Sequence, residues 1–439
     1  MPSGTIWIDI TELFDRFAVA THPTGVSRVV MNLAEQLGQE PGDVFAAARP
    51  LFWRPGASAP VTVDLARLGP LTDFFPSLRV LYDDAGLPRA GHASRPMKAL
   101  ATSMPRSLRY RLFPADNGVA LFALWARGAG IEFTPVEFVG GDGLFLPGSF
   151  WLGRYRRRLL DLAGSADVPI TAFVHDVLLL SHPEWLPGRH AEQFRRACEA
   201  VLPRCAAIAG NSQETLQELR RLARLPADLP MQVCRLADLA PDQPPGEVSE
   251  RLSSIVGQRY VMYVSTLIRR KNHALLVQAW RQLWRGWGPS TPYLLFVGGG
   301  APSGELASEM ALEVAEGGRI VRLTDVDDRD LETLYRHAWM TAYPSLGEGY
   351  GLPVAEALSR GKVCLASDRG AIGEAGAGLI DVIDPSDPAS VVAKIGEYLE
   401  DPGRLAAREA EISALYRPTN WSQTARAVRS VIEGTIKHG

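Results

Sequence analysis

The stretch Tyr343–Glu356, which reads Tyr-Pro-Ser-Leu-Gly-Glu-Gly-Tyr-Gly-Leu-Pro-Val-Ala-Glu, decides the fold of the second half of the chain. The apolar run Trp339–Tyr343 leads into it and predicts a buried strand. Three glycines follow at alternate positions, Gly347, Gly349 and Gly351, and they allow the backbone to approach a ligand closely or to adopt positive φ. Pro353 suits the first turn of the helix that comes next. A strand, a glycine-rich loop and a helix N-terminus together predict a site for an anion such as a phosphate.

Two carboxylates, Glu348 and Glu356, bracket this loop. A lone glutamate beside a loop is most often solvated, but here the two are separated by seven residues, with Gly-Tyr-Gly-Leu-Pro directly after the first. This spacing resembles the Glu-x7-Glu motif of retaining GT-B glycosyltransferases, and the stretch is most similar to glycosyltransferase family 4.

The resemblance implies an α/β protein of the GT-B type, with two Rossmann-like doubly wound parallel-sheet domains facing a cleft. A nucleotide-sugar donor is expected between the domains. The resemblance places Glu348 near the donor sugar and Glu356 on the ribose. Loop residues would contact sugar hydroxyls and phosphate, namely Gly349, Tyr350, Gly351 and Leu352.

Composition sets wide bounds on the class of protein. A chain of 439 residues with 46% hydrophobic and 22% charged residues predicts two soluble globular domains or one large one. The net charge of −3 gives no basic field for nucleic acid. The four cysteines form no CxxC pair, which favours buried, reduced thiols. The N-terminus lacks the features of a signal peptide, and no apolar run reaches about 20 residues, so a cytoplasmic location is expected.

The second half of the chain alternates strands and helices, which predicts a second doubly wound sheet. Its predicted strands are 260–264, 293–297, 319–323, 339–342 and 363–366. The proline-rich residues 225–253 predict an interdomain linker. The predicted domains are 1–235 on the acceptor side and 236–420 on the nucleotide-sugar side. A last helix within 421–439 is expected to return to the first domain, as in similar enzymes.

The first half is readable chiefly at its strand–helix turns. After the first predicted strand, Thr24-Gly25-Val26-Ser27-Arg28 leads into an amphipathic helix. By itself this indicates a helix start capped by Thr24 or Ser27. The resembling enzymes carry a similar Thr-Gly-(Ile/Val)-x-Arg facing the cleft, so Gly25 is a candidate site residue.

A second turn follows the predicted strand 169–175, at the carboxyl end where ligands bind in open α/β sheets. It begins His175-Asp176, which resembles the mannosyltransferase-like branch of family 4. The resemblance places His175 near the donor sugar, with Asp176 as its orienting neighbour. Further along, Asn211-Ser212 opens a helix, where a helix N-cap and a cleft contact are both open alternatives.

Three consecutive cations, Arg269, Arg270 and Lys271, follow the first strand of the second domain. Beside a positive helix N-terminus they make sense if a diphosphate binds there, because charge-assisted hydrogen bonds neutralise it. Lys271 matches the family lysine that contacts the diphosphate. The family arginine falls on Thr266, so the sequence departs there, and Arg270 is expected to supply the charge.

The segment Thr324-Asp325-Val326-Asp327 contains an Asp-x-Asp pattern, which in other glycosyltransferases binds a divalent metal ion. Acidic residues are equally expected at a helix start, because they cap it and complement its dipole. With cations already at Arg270 and Lys271, we predict no catalytic metal and no cofactor. The resemblance instead places Thr324 and Val326 in the pocket of the nucleotide base.

The region 61–140 is the least informative, and within it Arg95–Phe113 is a basic amphipathic stretch. Such a stretch lies either on an anionic membrane face or, more commonly, on the solvated face of an ordinary helix. The membrane alternative leaves room for a peripheral location on the inner membrane face.

Taken together, the sequence predicts a retaining, metal-independent hexosyltransferase. The resemblance favours a mannose-type donor such as GDP-mannose and a growing, lipid-linked acceptor of bacterial polysaccharide or lipopolysaccharide. The departing phosphate would act as the base. Alternatives in the same fold are a nucleotide-sugar epimerase, a phosphorylase, for which no pyridoxal-phosphate lysine is marked, and an inactive module that binds a glycan or a protein partner. Glu348 and Lys271 argue against the inactive module, whereas Thr266 keeps it open.

Overall fold

The computed structural model describes residues 4–17, 23–39, 42–53, 59–63, 70–75, 77–78, 80, 122, 126, 132–148, 150–151, 159–162, 168–185, 190–238, 248–302, 304–315 and 318–435. The predicted basic stretch 95–113 lies outside them, as does most of the region 61–140.

The first domain is built on a parallel six-stranded sheet. Its strands are β1 (Thr5–Asp9), β2 (Ala47–Leu51), β5 (Gly143–Leu146), β6 (Ile170–Val174), β7 (Ala207–Gly210) and β8 (Met231–Val233). They lie in the order β2-β1-β5-β6-β7-β8. A short antiparallel pair, β3 (Val61–Thr62) and β4 (Thr134–Pro135), stands apart from the sheet.

The second domain repeats this plan with a second parallel sheet. Its strands are β9 (Tyr260–Val264), β10 (Tyr293–Val297), β11 (Ile320–Leu323), β12 (Met340–Tyr343), β13 (Cys364–Ala366) and β14 (Asp381–Val382). They lie in the order β11-β10-β9-β12-β13-β14. The predicted fold class, two doubly wound parallel sheets, is confirmed.

Helices cover both sheets. Those among the described residues of the first domain are α1 (Thr11–Phe17), α2 (Gly25–Gln39), α3 (Leu178–Ser181), α4 (His190–Ala200) and α5 (Gln213–Leu222). Those that follow are α6 (Ser253–Val256), α7 (His273–Trp287), α8 (Glu305–Ala315), α9 (Asp328–His337), α10 (Leu352–Ser359), α11 (Ile372–Gly376), α12 (Pro388–Glu400), α13 (Pro402–Leu415) and α14 (Trp421–Gly434).

Burial explains why the central strands form where the apolar runs predict them. Every residue of β6 and of β12 is buried, as expected for parallel strands that are covered on both faces. Because each run is short and apolar throughout, it suits a central strand better than an amphipathic helix.

Two features differ from the sequence-based prediction. The predicted linker 225–253 contains β8, the edge strand of the first sheet, so part of the proline-rich segment is regular structure. The pair β13–β14 extends the second sheet by a strand that was not predicted, because two residues give no readable period. The exact domain boundaries stay a prediction.

The last helix, α14, packs against the first domain. Val428 and Ile432 lie in the hydrophobic cluster that also contains β1 and α2 residues. The Arg429 guanidinium donates to the carbonyl oxygen of Leu37 at 2.8 Å. The last described helix of the chain therefore packs on the first domain, as the sequence predicts.

The structure bears on two further predictions, which concern membrane-spanning segments and the cysteines. Among the described residues no helix is both long and apolar enough to cross a bilayer. All four cysteines are buried free thiols, as predicted, namely Cys198, Cys205, Cys234 and Cys364. Burial raises the pKa of each of these thiols to about 12, so they are inert at neutral pH.

Candidate functional site at the domain interface

The two sheets direct their carboxyl ends toward each other, and the glycine-rich loop lies at this junction. An added Cβ at Gly349 would lie 2.1 Å from the carbonyl oxygen of His175 and 2.5 Å from Cβ of Asp176. Only glycine allows so close an approach of two backbones. The family motif of the second domain is therefore in direct contact with the predicted His-Asp turn of the first.

Glu348 is the centre of the site and is only 8% exposed. Its Oε1 accepts from Lys271 Nζ at 2.6 Å and lies 2.7 Å from Arg270 Nη1. Ser345 Oγ also donates to it. Burial alone would raise the pKa of this carboxyl, but the two cations outweigh burial and lower the pKa to about 2. Glu348 is thus ionised at neutral pH and too weak a base to accept a proton readily.

The two cations are fixed by neighbouring groups. Lys271 Nζ donates to the Tyr343 hydroxyl at 2.7 Å, and Arg270 Nη1 donates to the carbonyl oxygen of Gly347 at 3.0 Å. The backbone makes a tight 3-10 turn over Arg269–Lys271 and ends at Asn272 with φ of 57°. The turn sits directly before α7, so Lys271 lies at a helix N-terminus. The structure brings together Arg270, Lys271 and Glu348, three of the predicted site residues.

A second helix N-terminus completes the site. Gly351 has φ of +106° and precedes α10, whose first turn contains Leu352 and Pro353. No side chain accepts from the first turn of α10 in the described structure. Pro353 has no N–H, and the N–H groups of Val354 and Ala355 donate to the carbonyl oxygen of Gly351 at 2.9 and 3.3 Å, so Leu352 is the first-turn residue whose N–H can serve a ligand. The helix dipole favours an anion there.

Glu356 lies one turn into α10. Its Oε2 accepts from the Tyr335 hydroxyl at 2.8 Å. A Cβ added at Gly25, in the first domain, would lie 3.9 Å from Cδ1 of Leu352, in α10 of the second domain. In the same region Arg28 forms an ion pair with Asp328 across the domains. The start of α2 in the first domain therefore lies close to the starts of α9 and α10 in the second.

His175 stands at the carboxyl end of β6, as predicted. Its Nε2 lies 2.6 Å from the carbonyl oxygen of Pro147. Burial lowers the imidazole pKa, so the ring is neutral at pH 7. The expectation that Asp176 orients the ring is wrong, because Pro147 holds it while the Asp176 carboxylate accepts from the backbone N–H of Leu178 at 3.1 Å. The contact of His175 with a donor sugar stays a prediction.

Tyr350 has a different place from the other loop residues. Its side chain is buried and points toward the segment after β8, where Arg235 Nε donates to its hydroxyl oxygen at 2.9 Å. The hydroxyl in turn donates to the carbonyl oxygen of Leu236 at 3.3 Å. The side chain of Tyr350 thus joins the domains, and only its backbone is available to a ligand.

The remaining predicted residues lie at the rim. Thr266 and Thr324 are exposed, and Val326 is half-buried against the core of the second domain. Asp327 caps α9 by accepting from the N–H of Asp330 at 2.8 Å. The capping interpretation of the Asp-x-Asp segment is therefore confirmed for Asp327.

The two alternatives at Ser212 are not exclusive, because its Oγ caps α5 by accepting from the N–H of Thr215 and also donates to the carbonyl oxygen of Gly349 in the other domain at 2.8 Å. Other interface residues were missed by sequence reasoning. Thr215 Oγ1 lies 3.1 Å from the same oxygen. The Glu374 carboxylate accepts from the N–H groups of Gln213 and Glu214 at 2.8 and 2.7 Å. These contacts pair residues more than 130 positions apart, so no local pattern reports them.

Comparison with known proteins agrees with this geometry. Residues 247–414 match the model of the family described as glycosyl transferases group 1. O-antigen chain mannosyltransferase B of Escherichia coli is 29% identical over 53% of this chain and 61% of its own length. D-inositol 3-phosphate glycosyltransferase of Xylanimonas cellulosilytica is 27% identical over 62% of this chain and 67% of its own length. The matches thus span about two thirds or less of these relatives.

Solved structures share the whole architecture. The crystal structure of Anabaena HepE in complex with UDP and glucose superposes with a TM-score of 0.59, at 15% identity, over 98% of this chain and 99% of its own. At this identity the likeness concerns the fold, which is that of a GT-B protein. Within that class, the chain resembles the glycosyltransferases of family 4, and its second domain carries the group 1 glycosyl transferase signature.

Proposed function

We propose that this protein is a retaining glycosyltransferase that moves a hexose from a nucleotide sugar to a growing glycan. The observation that carries the proposal is the ionised, buried Glu348, which is paired with Lys271 and Arg270 and lies in the loop that precedes the N-terminus of α10. Buried charges are costly unless they are paired or serve a ligand. The Glu-x7-Glu spacing and the group 1 match support the same conclusion.

In this proposal the donor diphosphate lies between the N-termini of α7 and α10. Lys271 and Arg270 together carry two positive charges, and Glu348 neutralises one of them. The remaining charge and the two helix dipoles would stabilise the negative charge that develops on the departing diphosphate. Because the cations supply this stabilisation, we propose that transfer needs no divalent metal.

Glu348 and His175 are assigned to the donor sugar. A carboxylate with a pKa of about 2 accepts hydrogen bonds from sugar hydroxyls and does not act as a proton acceptor in the reaction. The single N–H of the neutral His175 ring donates from Nε2 to the carbonyl oxygen of Pro147, so Nδ1 is left to accept a hydrogen bond from a sugar hydroxyl. Neither residue is assigned as a covalent nucleophile. We propose that the leaving phosphate takes the proton of the acceptor hydroxyl, on the same face from which it departs.

The donor is proposed to be of the mannose type. Two relatives point to it by name, O-antigen chain mannosyltransferase B and the serotype-specific mannosyltransferase WbdA of Escherichia coli, at 29% and 25% identity. The His175-Asp176 turn favours a GDP-sugar over a UDP-sugar in the same direction. The acceptor is proposed to be a lipid-linked polysaccharide or lipopolysaccharide glycan, used at the cytoplasmic face of the inner membrane.

The test is a thermal-melting screen of the purified chain with GDP, UDP, ADP and their common sugars, with and without EDTA. A ligand at about one hundred times its dissociation constant stabilises the native state by about 2.7 kcal/mol, so a bound nucleotide raises the melting temperature by several degrees. We expect GDP to act, EDTA to change nothing, and Lys271→Ala to abolish the shift. Lys394→Ala, on exposed α12, is the matched control.

Each outcome has a defined meaning. A shift with UDP alone overturns the choice of base, and a shift that EDTA removes overturns metal independence. Absence of any shift overturns the transferase and favours the inactive binding module. The anomeric configuration of the product, read by NMR, distinguishes retention from inversion.

A further inference from the structure

A second, lateral pocket opens beside the candidate site, and its position differs from that of the diphosphate site. Its volume is about 400 Å³, and its walls come from both domains. The first domain contributes the segment after β6 and the first turns of α5. The second contributes the loops after β12, β13 and β14. This lies toward the β13–β14 edge of the second sheet, whereas α9 and the predicted base-binding residues follow β11 at the opposite edge.

The pocket shares a wall with the candidate site. Glu348 and Gly349 line it, and Glu348 is the residue that the proposed function places next to the donor sugar. A molecule in this pocket therefore lies within reach of the group to be transferred. Its volume falls in the range of about 300–1,000 Å³ that is typical of small-molecule sites.

The chemistry of the lining selects the ligand. The lining includes the carboxylates of Asp176, Glu214 and Glu218 and the hydroxyls of Ser181, Thr215 and Ser386. Ionised carboxylates only accept hydrogen bonds, so they suit a ligand that is rich in hydroxyl donors. Glu218 is paired with Arg221, and Glu348 with Lys271 and Arg270, so the lining as a whole is close to neutral and suits an uncharged ligand with many hydroxyl groups.

The lining also includes the apolar residues Leu178, Leu346 and Pro385. His182 also lines the pocket, and its ring stacks on Trp185 with centroids 3.9 Å apart and planes 12° apart. An added Cβ at Gly347 would lie 3.0 Å from the Trp185 ring, so the stack is fixed against the glycine-rich loop. A lining that combines apolar side chains and the His182 ring with hydrogen-bond acceptors matches a sugar ring, which has apolar faces and hydroxyl edges.

We infer that this lateral pocket binds a neutral saccharide unit of the acceptor glycan. The identification of this saccharide as part of the acceptor rests on the proposed transferase function. The binding of a neutral saccharide to the pocket does not depend on that function. The donor diphosphate is assigned to Lys271 and Arg270, as in the proposed function.

The test measures saccharide and nucleotide binding separately on the full chain. The probes are mannotriose and maltotriose, followed by saturation-transfer NMR and calorimetry without nucleotide. We expect at least one trisaccharide to bind. Glu214→Gln with Glu218→Gln should weaken it at least fivefold, and Ser386→Trp, which places a large ring in the pocket from an exposed position, should abolish it.

Two controls match these variants. Glu192→Gln removes an exposed carboxylate from α4, and Ser308→Trp places the same ring on exposed α8, both away from the pocket. Neither should change saccharide binding, and all the variants should keep the nucleotide melting shift. If the chain is active, the acceptor KM should rise at least fivefold in the pocket variants while the donor KM stays the same.

Three results would overturn the inference. The first is that neither trisaccharide binds. The second is that one binds equally well to Ser386→Trp. The third is that mannose 6-phosphate binds more tightly than mannotriose and is lost in Arg369→Gln, since the pocket would then select an anion. Failure of every nucleotide to bind contradicts the proposed function instead, and leaves the saccharide measurement to decide the pocket.

Discussion

Ser212 Oγ donates a 2.8 Å hydrogen bond to the carbonyl oxygen of Gly349, across the interface of the two domains. Thr215 Oγ1 lies 3.1 Å from the same oxygen. The peptide that follows Glu348 is therefore held by two hydroxyl groups of the opposite domain. Closure of the domains and the orientation of the glycine-rich loop are connected through this one oxygen atom.

Removal of one hydroxyl group should weaken catalysis more than it weakens folding. Thr215→Val removes the donor and keeps the shape, at a net cost of about 0.5–1.5 kcal/mol for one hydrogen bond. If that interaction is made in the closed, reacting state, kcat falls roughly three- to tenfold while the donor KM changes little. Thr215→Ser should restore the rate. Thr333→Val, which removes an intrahelical hydroxyl contact in α9, is the control, and an equal loss in that variant would refute the argument.

The contact of Gly349 with His175 should make position 349 intolerant of any side chain. A Cβ at 2.1 Å from a backbone oxygen forces the domains or the loop to move. We expect Gly349→Ala to destabilise the closed arrangement by more than about 2 kcal/mol, with lower melting temperature and loss of nucleotide binding. Gly286→Ala, in the last turn of α7 with open space around it, should instead stabilise the chain by up to about 0.5–1 kcal/mol. Normal nucleotide affinity in Gly349→Ala would contradict the contact.

The Glu348 ion pairs should leave a signature in acid. The folded pKa of about 2 lies below the ordinary value of 4.5, so the stabilisation is complete above about pH 4.5 and is lost as the pH falls toward 2. The shift corresponds to about 3 kcal/mol. Glu348→Gln lacks this contribution and leaves Lys271 and Arg270 uncompensated, so it should be less stable at pH 6 by several kcal/mol.

The measurement is urea unfolding of both proteins from pH 6 to pH 3. The difference in unfolding free energy between the wild type and Glu348→Gln should shrink by roughly 2 kcal/mol over this range. Glu411→Gln, on exposed α13, controls for the general effect of acid. A difference that stays constant with pH would show that Glu348 is not ionised in the native state.

Asp9, at the end of β1, should behave in the opposite way. Burial raises its pKa to about 6, although Thr11 donates to the carboxylate from both its N–H and its hydroxyl. Since the folded pKa exceeds the ordinary value of 3.8, ionised Asp9 lowers stability above about pH 6, and protonation relieves this cost as the pH falls. Asp9→Asn keeps an acceptor for Thr11. We therefore expect it to stabilise the protein by about 2–3 kcal/mol at pH 8 and to have little effect at pH 4. Equal stability at pH 8 would contradict the raised pKa.

The ion pair of Arg28 with Asp328 joins the first turn of α2 to the first turn of α9. The side chains are 33% and 44% exposed, so the pair is screened by solvent and should contribute less than about 1 kcal/mol. A double-mutant cycle of Arg28→Ala and Asp328→Ala should give a coupling energy in this range that falls with added salt. A coupling of several kcal/mol that is insensitive to salt would assign the pair a larger part in domain closure.

The sequence by itself determined the two parallel sheets and the local elements of the candidate site. Each buried strand is a short apolar run, and the glycines, Pro353 and the cationic turn act through local backbone geometry and charge. Those signals depend on residues a few positions apart. The same holds for the caps of α5 and α9, since Ser212 and Asp327 bond within their own first turns.

Only the tertiary structure decided which residues meet across the interface. The pairs Ser212–Gly349, Arg235–Tyr350 and Gln213–Glu374 join side chains and backbone from different domains. The partner of the His175 ring, Pro147, likewise comes from a neighbouring strand rather than from the adjacent Asp176. Such contacts depend on how two sheets pack and face each other, and that information is distributed over both cores rather than written in any one motif.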